Sequence, residues 1–177
     1  MPRKKSIRIA LLALSAIFLC HCAEEHVCQY DASTETLRCA EKLYKTTHVG
    51  DQVWMTDNLD YYVFSSFCYS DNDANCDKYG RLYTWESAQS ACPAHWHLPS
   101  QKEFKSLLKK GIQNVQLAGF RYYGYGSPYF DKGATETFWT ADEYDNARAE
   151  LLNIRQDSWR FEKYNKGIAY SVRCVMD

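Results

Sequence analysis

The sequence predicts an α+β domain in which two helices pack on an antiparallel, loop-rich sheet stapled by disulfides. Two helix patterns occupy the middle of the chain, at 83–92 and 100–111, and several short strand patterns follow them. Helices and strands that are segregated along the chain favour α+β over an alternating α/β architecture. Eight cysteines in 177 residues suit an oxidising compartment in which disulfides persist.

The composition permits one well-packed domain and disfavours a nucleic-acid partner. Hydrophobic residues make up 46% of the chain, and its length fits a single domain with appendages. Four of the 21 basic residues lie within residues 1–21, which contain no acid, so the remainder carries 17 bases against 22 acids, a net charge of −5. Such a chain lacks the basic surface that phosphate backbones need.

Residues 1–22 have the pattern of a secretory signal peptide. The basic start Arg3–Lys5 precedes the apolar run Ile9–Cys20, which is too short to span a membrane. Leu19 and Cys22 resemble the box at which bacterial lipoproteins are lipidated, and cleavage after Ala23 by the ordinary signal peptidase is the alternative. We therefore expect an outer-membrane or cell-surface lipoprotein, or alternatively a periplasmic or secreted protein.

Six cysteines remain for pairing after the signal region. Cys28 and Cys39 flank turn residues within a lead-in at 23–47, which predicts a disulfide-closed hairpin. Cys68 and Cys76 enclose a polar turn that a local disulfide would clamp. Each of these two pairs closes a short loop.

Each helix pattern has its own boundary signals. The first, Tyr83–Cys92, carries a modest apolar stripe and ends before Pro93, which lacks an amide hydrogen. The second begins with a capping box formed by Ser100 and Glu103 and ends at Gly111. Its apolar residues recur at helical spacing at Phe104, Leu107 and Leu108.

Strand and turn patterns fill the second half of the chain. The polar turns QDS and NKG separate strand candidates of an antiparallel meander. These candidates are Phe138–Thr140, Ala147–Ile154, Trp159–Tyr164 and Ile168–Val175. Before them, Leu117–Phe130 is a loop rich in glycine and aromatic residues.

Several spaced motifs occur in a recognisable order: QVWMTDNLDY (52–61), CDKYGRLYTWESA (76–88), ACPAHWHLPSQKEF (91–104), FWTADEYDNA (138–147) and YSVRCV (170–175). Together they resemble the Fibrobacter succinogenes major paralogous domain (FISUMP). The resemblance covers roughly residues 39–177, a length that is typical of a single domain. The resemblance implies a FISUMP-like domain at 48–177, behind the 23–47 lead-in, in a secreted protein or lipoprotein. It also implies a bond between Cys92 and Cys174, which matches the last strand of the family. It implies no particular biochemical activity.

The segments HLPSQKEF and SVRCV are more remotely similar to formylglycine-generating (sulfatase-modifying) enzymes. This second resemblance implies a C-type-lectin-like fold. The activity does not carry over with the fold, because those enzymes need two copper-binding cysteines just before the final strand, and 157–167 contains no cysteine. We therefore expect no catalysis and no cofactor, and a copper oxidase acting on peptidyl cysteine is the competing hypothesis.

The turn between Cys68 and Cys76 contains the nearest match to a metal site. Four side chains alternate there as at the start of a calcium loop: Asp71, Asp73, Asn75 and Asp77. Cys76 and Leu82 stand where such a loop needs glycine and glutamate, so a solvated turn without metal is the better interpretation. His95 and His97 lack further zinc ligands, which favours packing beside the hinge between the helices.

Aromatic residues in and near the 117–130 loop form the expected ligand surface: Tyr122, Tyr123, Tyr125, Tyr129 and Trp139. Flat rings with polar edges suit stacking on sugars or on a protein partner, while simple packing of the loop is the alternative. The acidic net charge disfavours anionic glycans. We expect a monomeric binding module for neutral carbohydrate, attached to the membrane only through a lipid. A protein–protein interaction module and a structural envelope lipoprotein are the alternatives.

Overall fold

A computed structural model describes residues 28–124, 128–156 and 158–177. Its strands, in chain order, are β1 (Cys28–Asp31), β2 (Thr36–Cys39), β3 (Lys42–Val49), β4 (Gln52–Met55), β5 (Ser66–Phe67), β6 (Leu82–Tyr83), β7 (Trp96–His97), β8 (Phe120–Arg121), β9 (Tyr129–Phe130), β10 (Glu136–Glu143), β11 (Arg148–Arg155), β12 (Ser158–Asn165), β13 (Tyr170–Ser171) and β14 (Val175–Met176). Its helices are α1 (Asp73–Tyr79), α2 (Trp85–Ala88) and α3 (Gln101–Lys110), with a 3-10 turn at Tyr69–Asp71. Within the described ranges, none of the helices has the length and apolar content that crossing a bilayer requires.

The strands form two six-stranded sheets and one two-stranded sheet. The first has the order β1-β2-β3-β4-β14-β7, the second has the order β12-β11-β10-β13-β6-β5, and β8 pairs with β9. The ladders are antiparallel, except that β10 and β13 run parallel where Phe138 faces Ser171. The domain is thus mostly curled antiparallel sheet with few helices.

The last segment of the chain links the two large sheets. We predicted one strand over Ile168–Val175, but β13 belongs to the second sheet and β14 to the first. Between them the chain crosses over: the amide of Leu59 donates to Val172 O over 2.8 Å, and the amide of Met55 donates to Cys174 O over 3.1 Å. The crossing splits the predicted strand into two short ones.

Three disulfides join Cys28 to Cys39, Cys68 to Cys76 and Cys92 to Cys174. These are the partners expected from the sequence and the family resemblance. The first bond joins opposite residues of the β1–β2 hairpin. The third closes the longest loop, with a sequence separation of 82, and ties the chain after α2 to the crossing segment.

Two local predictions need correction. The first predicted helix is much shorter than Tyr83–Cys92, because Tyr83 pairs with Tyr170 in β6 and the helix begins only after Thr84, whose hydroxyl caps it. The predicted polar turn between Cys68 and Cys76 instead contains the 3-10 turn and the start of α1. Asn72 caps α1, since its Oδ1 accepts the amide hydrogen of Ala74 over 3.0 Å.

The α3 helix begins as predicted, with the full capping box between Ser100 and Glu103. Its Phe104 ring is fully buried and lies 5.4 Å from the Trp54 ring and 5.8 Å from the Phe138 ring, measured between centroids. Phe138 belongs to β10, so one face of the second large sheet is occupied by an apolar cluster. The opposite face of the same strands is divided: Trp139 and Leu151 belong to a second apolar cluster, and polar side chains occupy the rest of that face.

Candidate functional site

Strands β10, β11 and β12 carry a row of polar side chains on one face. The register places Thr137 opposite Asn153, and Asn153 opposite Arg160. Alternation along a strand keeps these three residues on the same face, while neighbours such as Phe138 and Leu152 enter the apolar cluster on the other face. The amide Nδ2 of Asn153 donates to Thr137 Oγ1 over 2.9 Å, which fixes the middle of the row.

A groove of about 240 Å³ lies over this polar row. Pockets for drug-sized ligands begin at about 300 Å³, so the groove is suited to one unit of a ligand rather than to a large molecule. Its lining residues are Phe120, Tyr122, Asp131, Thr135, Thr137, Leu151, Asn153, Arg155, Arg160, Glu162, Tyr164, Ile168 and Tyr170.

Aromatic rings form the walls of the groove. The Tyr170 ring lies 5.6 Å from that of Phe120 and 6.3 Å from that of Tyr164. Burial raises the pKa of Tyr170, and repulsion from nearby acidic groups adds to the effect, so its hydroxyl stays protonated at neutral pH. The wall therefore combines apolar ring faces with hydroxyl edges.

Tyr122 and Tyr123 form a stacked pair at one end of the groove. Their centroids are 4.6 Å apart with an interplanar angle of 20°, and the two residues remain 40% and 55% exposed. A hydrogen bond with Tyr122 is the main cause that raises the pKa of Tyr123. The pair is an exposed flat surface beside the polar row.

The charged groups of the groove are balanced. Arg155 lies 3.4 Å from Asp131, and Arg160 lies 2.8 Å from Glu162, measured between the nearest nitrogen and oxygen atoms. Each arginine therefore has a carboxylate beside it. The groove offers many hydrogen-bonding groups without a net charge.

Comparison with known proteins identifies part of the chain. Residues 47–122 match the model of the Fibrobacter succinogenes major domain. This stretch of the chain is similar to that domain family. No curated protein and no solved structure matches the chain. The description of this domain names no activity.

The stretch of this chain that matches the family runs from Thr47 in β3 to Tyr122 beside β8. It contributes Phe120 and Tyr122 to the groove wall. The polar row comes from β10, β11 and β12, which follow the matched stretch. The groove thus joins residues of the matched stretch to residues of the meander behind it.

The structure separates the aromatic residues that we expected to contact a ligand. Tyr122 lines the groove, and the ring of Tyr123 stacks on the ring of Tyr122. Trp139 is 0% exposed and its indole Nε1 donates to Tyr83 O over 2.9 Å, so it belongs to the interior. Tyr125 lies outside the described residues.

Tyr129 is also an interior residue. It is only 9% exposed, its hydroxyl donates to Asp71, and its ring lies 5.0 Å from the Tyr69 ring. Burial and the Asp71 carboxylate raise the pKa of Tyr129 to about 12. Cys22 and the remainder of the predicted signal peptide, residues 1–22, lie outside the described residues.

The four residues considered for calcium do not converge. Asp73, Asn75 and Asp77 lie in α1, where residues two apart point to different sides of a helix. Asn75 donates to Tyr69 O over 2.8 Å, and Asp71 accepts from a tyrosine hydroxyl. The helix, which we did not predict, removes the loop that calcium would need.

Within the described ranges, one group of histidine and carboxylate side chains has ligand atoms within 4.8 Å of one another: His97, Glu103 and Asp177. The nearest atoms of His97 and Glu103 are 2.9 Å apart. Gln52 Nε2 donates to Glu103 over 2.7 Å and to Asp177 over 2.8 Å. These contacts form a hydrogen-bonded network around the start of α3. His95 lies apart from it, in a turn with φ of 69°.

Sequence reasoning missed the polar floor of the groove. A signal for it exists in Leu151–Arg155, where Asn153 and Arg155 alternate with the apolar Leu152 and Ile154. That pattern is typical of a strand with one buried and one accessible face. The aromatic residues of the 117–130 loop are the more conspicuous signal in the sequence.

Proposed function

We propose that the protein is an exported, non-catalytic binding domain that holds neutral carbohydrate in the groove over β10, β11 and β12. The observation that carries the proposal is the polar row of Thr137, Asn153 and Arg160 beside aromatic walls. Sugar hydroxyls both donate and accept hydrogen bonds, whereas the C–H face of a sugar ring is apolar. A sugar therefore needs a few convergent polar groups together with flat rings.

The charge balance favours a neutral ligand. An anionic sugar would need an arginine without a competing carboxylate, but Asp131 lies beside Arg155 and Glu162 lies beside Arg160. The net charge of −5 outside residues 1–21 repels anions at long range. Neutral cell-wall or plant polysaccharide is the ligand class that fits both observations.

The same pairing argues against catalysis in the groove. A general acid or base needs a pKa poised near the working pH and access to a substrate proton. The carboxylates of the described lining, Asp131 and Glu162, are each engaged in an ion pair with an arginine, which competes with access to a substrate proton. We infer that the groove binds its ligand without transforming it.

Two finer features belong to this proposal. The two-sheet architecture with short helices is C-type-lectin-like, with α2 and α3 packed on the sheet. Residues 1–22 direct export, and lipid on Cys22 anchors the protein to the envelope. Intact mass of the native protein tests the anchor: a lipid-modified Cys22 at the mature start is expected, and an unmodified start at Glu24 contradicts it.

A glycan array followed by calorimetry tests the groove. Tyr122→Ala removes half of the stacked pair, and we expect a loss of affinity of about fivefold or more, since one ring contact contributes about 1 kcal/mol. Tyr62→Ala is the matched control, because Tyr62 is 65% exposed and is not part of the groove lining. Equal binding by both variants would contradict the proposed site. Capture of an envelope protein through the groove, without glycan binding, would favour a protein–protein interaction module.

A further inference from the structure

Strand β12 is a long edge strand. Its eight residues pair with β11, and β12 stands at the end of the second large sheet. Trp159 on this strand is 52% exposed. An exposed edge presents unpaired amide and carbonyl groups that are able to accept another strand.

The hairpin register shows which amides of β12 point outward. Arg155 pairs with Ser158 across a two-residue connection, and such a closing pair exchanges backbone hydrogen bonds. At the other end, the amide of Lys166 donates to Ala147 O over 3.0 Å. Bonded and non-bonded pairs alternate along the ladder, so both ends agree that the even-numbered residues bond to β11. The odd-numbered residues Trp159, Phe161 and Lys163 therefore direct their backbone groups away from the sheet.

We propose that β12 pairs antiparallel with β12 of a second copy of this chain, about a two-fold axis at Phe161. Residues with outward amides must pair with one another, which restricts the symmetric registers to those centred on a residue. A centre at residue 160 would oppose two arginines, and a centre at residue 162 would oppose two glutamates. A centre at Phe161 places Arg160 of each copy opposite Glu162 of the other copy, so charge selects this register.

The remaining pairs of this register are also complementary. Phe161 meets its own copy on the axis, and Trp159 of each copy lies opposite Lys163 of the other, which is a cation–π combination. Arg160 and Glu162 stand at a non-hydrogen-bonded position, where opposite side chains come closest. Together with the existing contact of 2.8 Å within each chain, they form a network of four alternating charges.

The dimer has a consequence that rests on the proposed function. The two-fold axis is perpendicular to the sheet, so both copies present the same face on the same side. Arg160 and Glu162 line the groove. Two grooves would therefore lie side by side, and a polysaccharide able to reach both would bind through avidity. The dimer itself does not depend on the ligand and is tested without one.

Sedimentation equilibrium of the purified protein over a range of concentrations tests the pairing. We expect a mass that rises from monomer to dimer. Arg160→Glu and Glu162→Arg should each weaken the dimer at least tenfold, because each creates two like-charge pairs. An equimolar mixture of these two variants should dimerise, since every cross-strand pair is then opposite in charge. A purely intrachain role of the Arg160–Glu162 pair cannot produce that rescue.

A backbone variant provides the second test. Lys163→Pro removes an amide hydrogen that points outward, so it should abolish the dimer and leave the β11 ladder intact. Lys163→Ala is the matched control and should retain the dimer, with at most a few-fold loss. A monomeric protein at every concentration would overturn the proposal. Dimers that persist equally in both Lys163 variants would overturn it as well, because another surface would then be responsible.

Discussion

Glu103 carries the densest set of contacts of any carboxylate in the described residues near α3. Its Oε2 accepts hydrogen bonds from the amide and the hydroxyl of Ser100, both over 2.7 Å, and its Oε1 contacts Gln52 and His97. Partial burial acts to raise the pKa of Glu103, but the hydrogen bonds outweigh it and lower the pKa to about 2. The carboxylate is therefore ionised whenever the protein is folded at ordinary pH.

Glu103→Gln should remove a stabilisation that depends on pH. Since the folded pKa lies below the ordinary value of 4.5, the contribution is present above pH 4.5 and is lost as the pH falls towards 2. At neutral pH we expect a loss of about 1 kcal/mol, which is typical of a helix cap. Urea unfolding from pH 7 to pH 3 should show the difference from wild type shrinking below pH 4.5. Glu86→Gln, at an exposed position, is the control, and a constant difference for Glu103→Gln would contradict the account.

Among the elements, α1 ends in close contact with a distant segment of the chain. The helix ends at Gly80, which has φ of 75°. A Cβ at this position would lie 2.6 Å from Asn58 Cβ and 2.9 Å from Leu59 O. Asn58 is itself buried, and its side-chain amide donates to Tyr79 O over 3.0 Å. The end of α1 is thus pressed against the segment after β4.

Gly80→Ala should therefore destabilise the domain strongly. The positive φ costs about 1 kcal/mol for an L-residue, and the steric overlap adds about 2 kcal/mol or more. Gly50→Ala is the matched control, because Gly50 also has a positive φ, of 63°, but its Cβ would meet nothing within 4 Å. Thermal melts should show a much larger loss for Gly80→Ala. Equal losses of stability in the two variants would mean that the close approach to Asn58 does not contribute to the destabilisation.

Local signals explain which elements could be predicted. The α3 helix was predictable because its capping box and its apolar spacing are both written within eleven residues. The α1 helix was missed because DANCDKY has no apolar stripe, and its cap at Asn72 and its disulfide at Cys76 stabilise it instead. Trp139 was assigned to a surface because sequence does not distinguish buried from exposed aromatic residues. Its burial depends on Tyr83 and Tyr170, which come from distant strands.

At the scale of the whole molecule, a buried polar network joins the two large sheets. Arg173, on the crossing segment, donates to Asn58 Oδ1 over 3.0 Å, and Asn58 donates to Glu136 of β10 over 3.2 Å. Arg173 also donates to Gln113 O over 2.7 Å. Burial raises the pKa of Glu136 and lowers the pKa of Arg173 to about 10. The side-chain amide of Asn58 therefore bridges Arg173 and Glu136, and its two hydrogen bonds connect the crossing segment to β10 of the second sheet.

The Cys92–Cys174 disulfide ties this crossing segment to the middle of the chain, and its removal should cost more than removal of a local bond. In the chain-entropy model a loop of this size contributes about 4.5 kcal/mol, against about 3 kcal/mol for a loop as short as that of Cys28–Cys39. Paired alanine variants of each bond, compared by guanidinium unfolding, measure the difference. A larger loss from Cys28→Ala/Cys39→Ala would contradict the chain-entropy explanation.

The groove is the central claim, and residue-resolved NMR titration with a neutral oligosaccharide tests it most directly. We expect chemical-shift changes on the polar row, Thr137, Asn153 and Arg160, and on the stacked pair, Tyr122 and Tyr123. Phe64, which is 86% exposed and is not part of the groove lining, should remain unperturbed. Shifts centred on Phe64 and its neighbours, with the polar row unchanged, would contradict the claim.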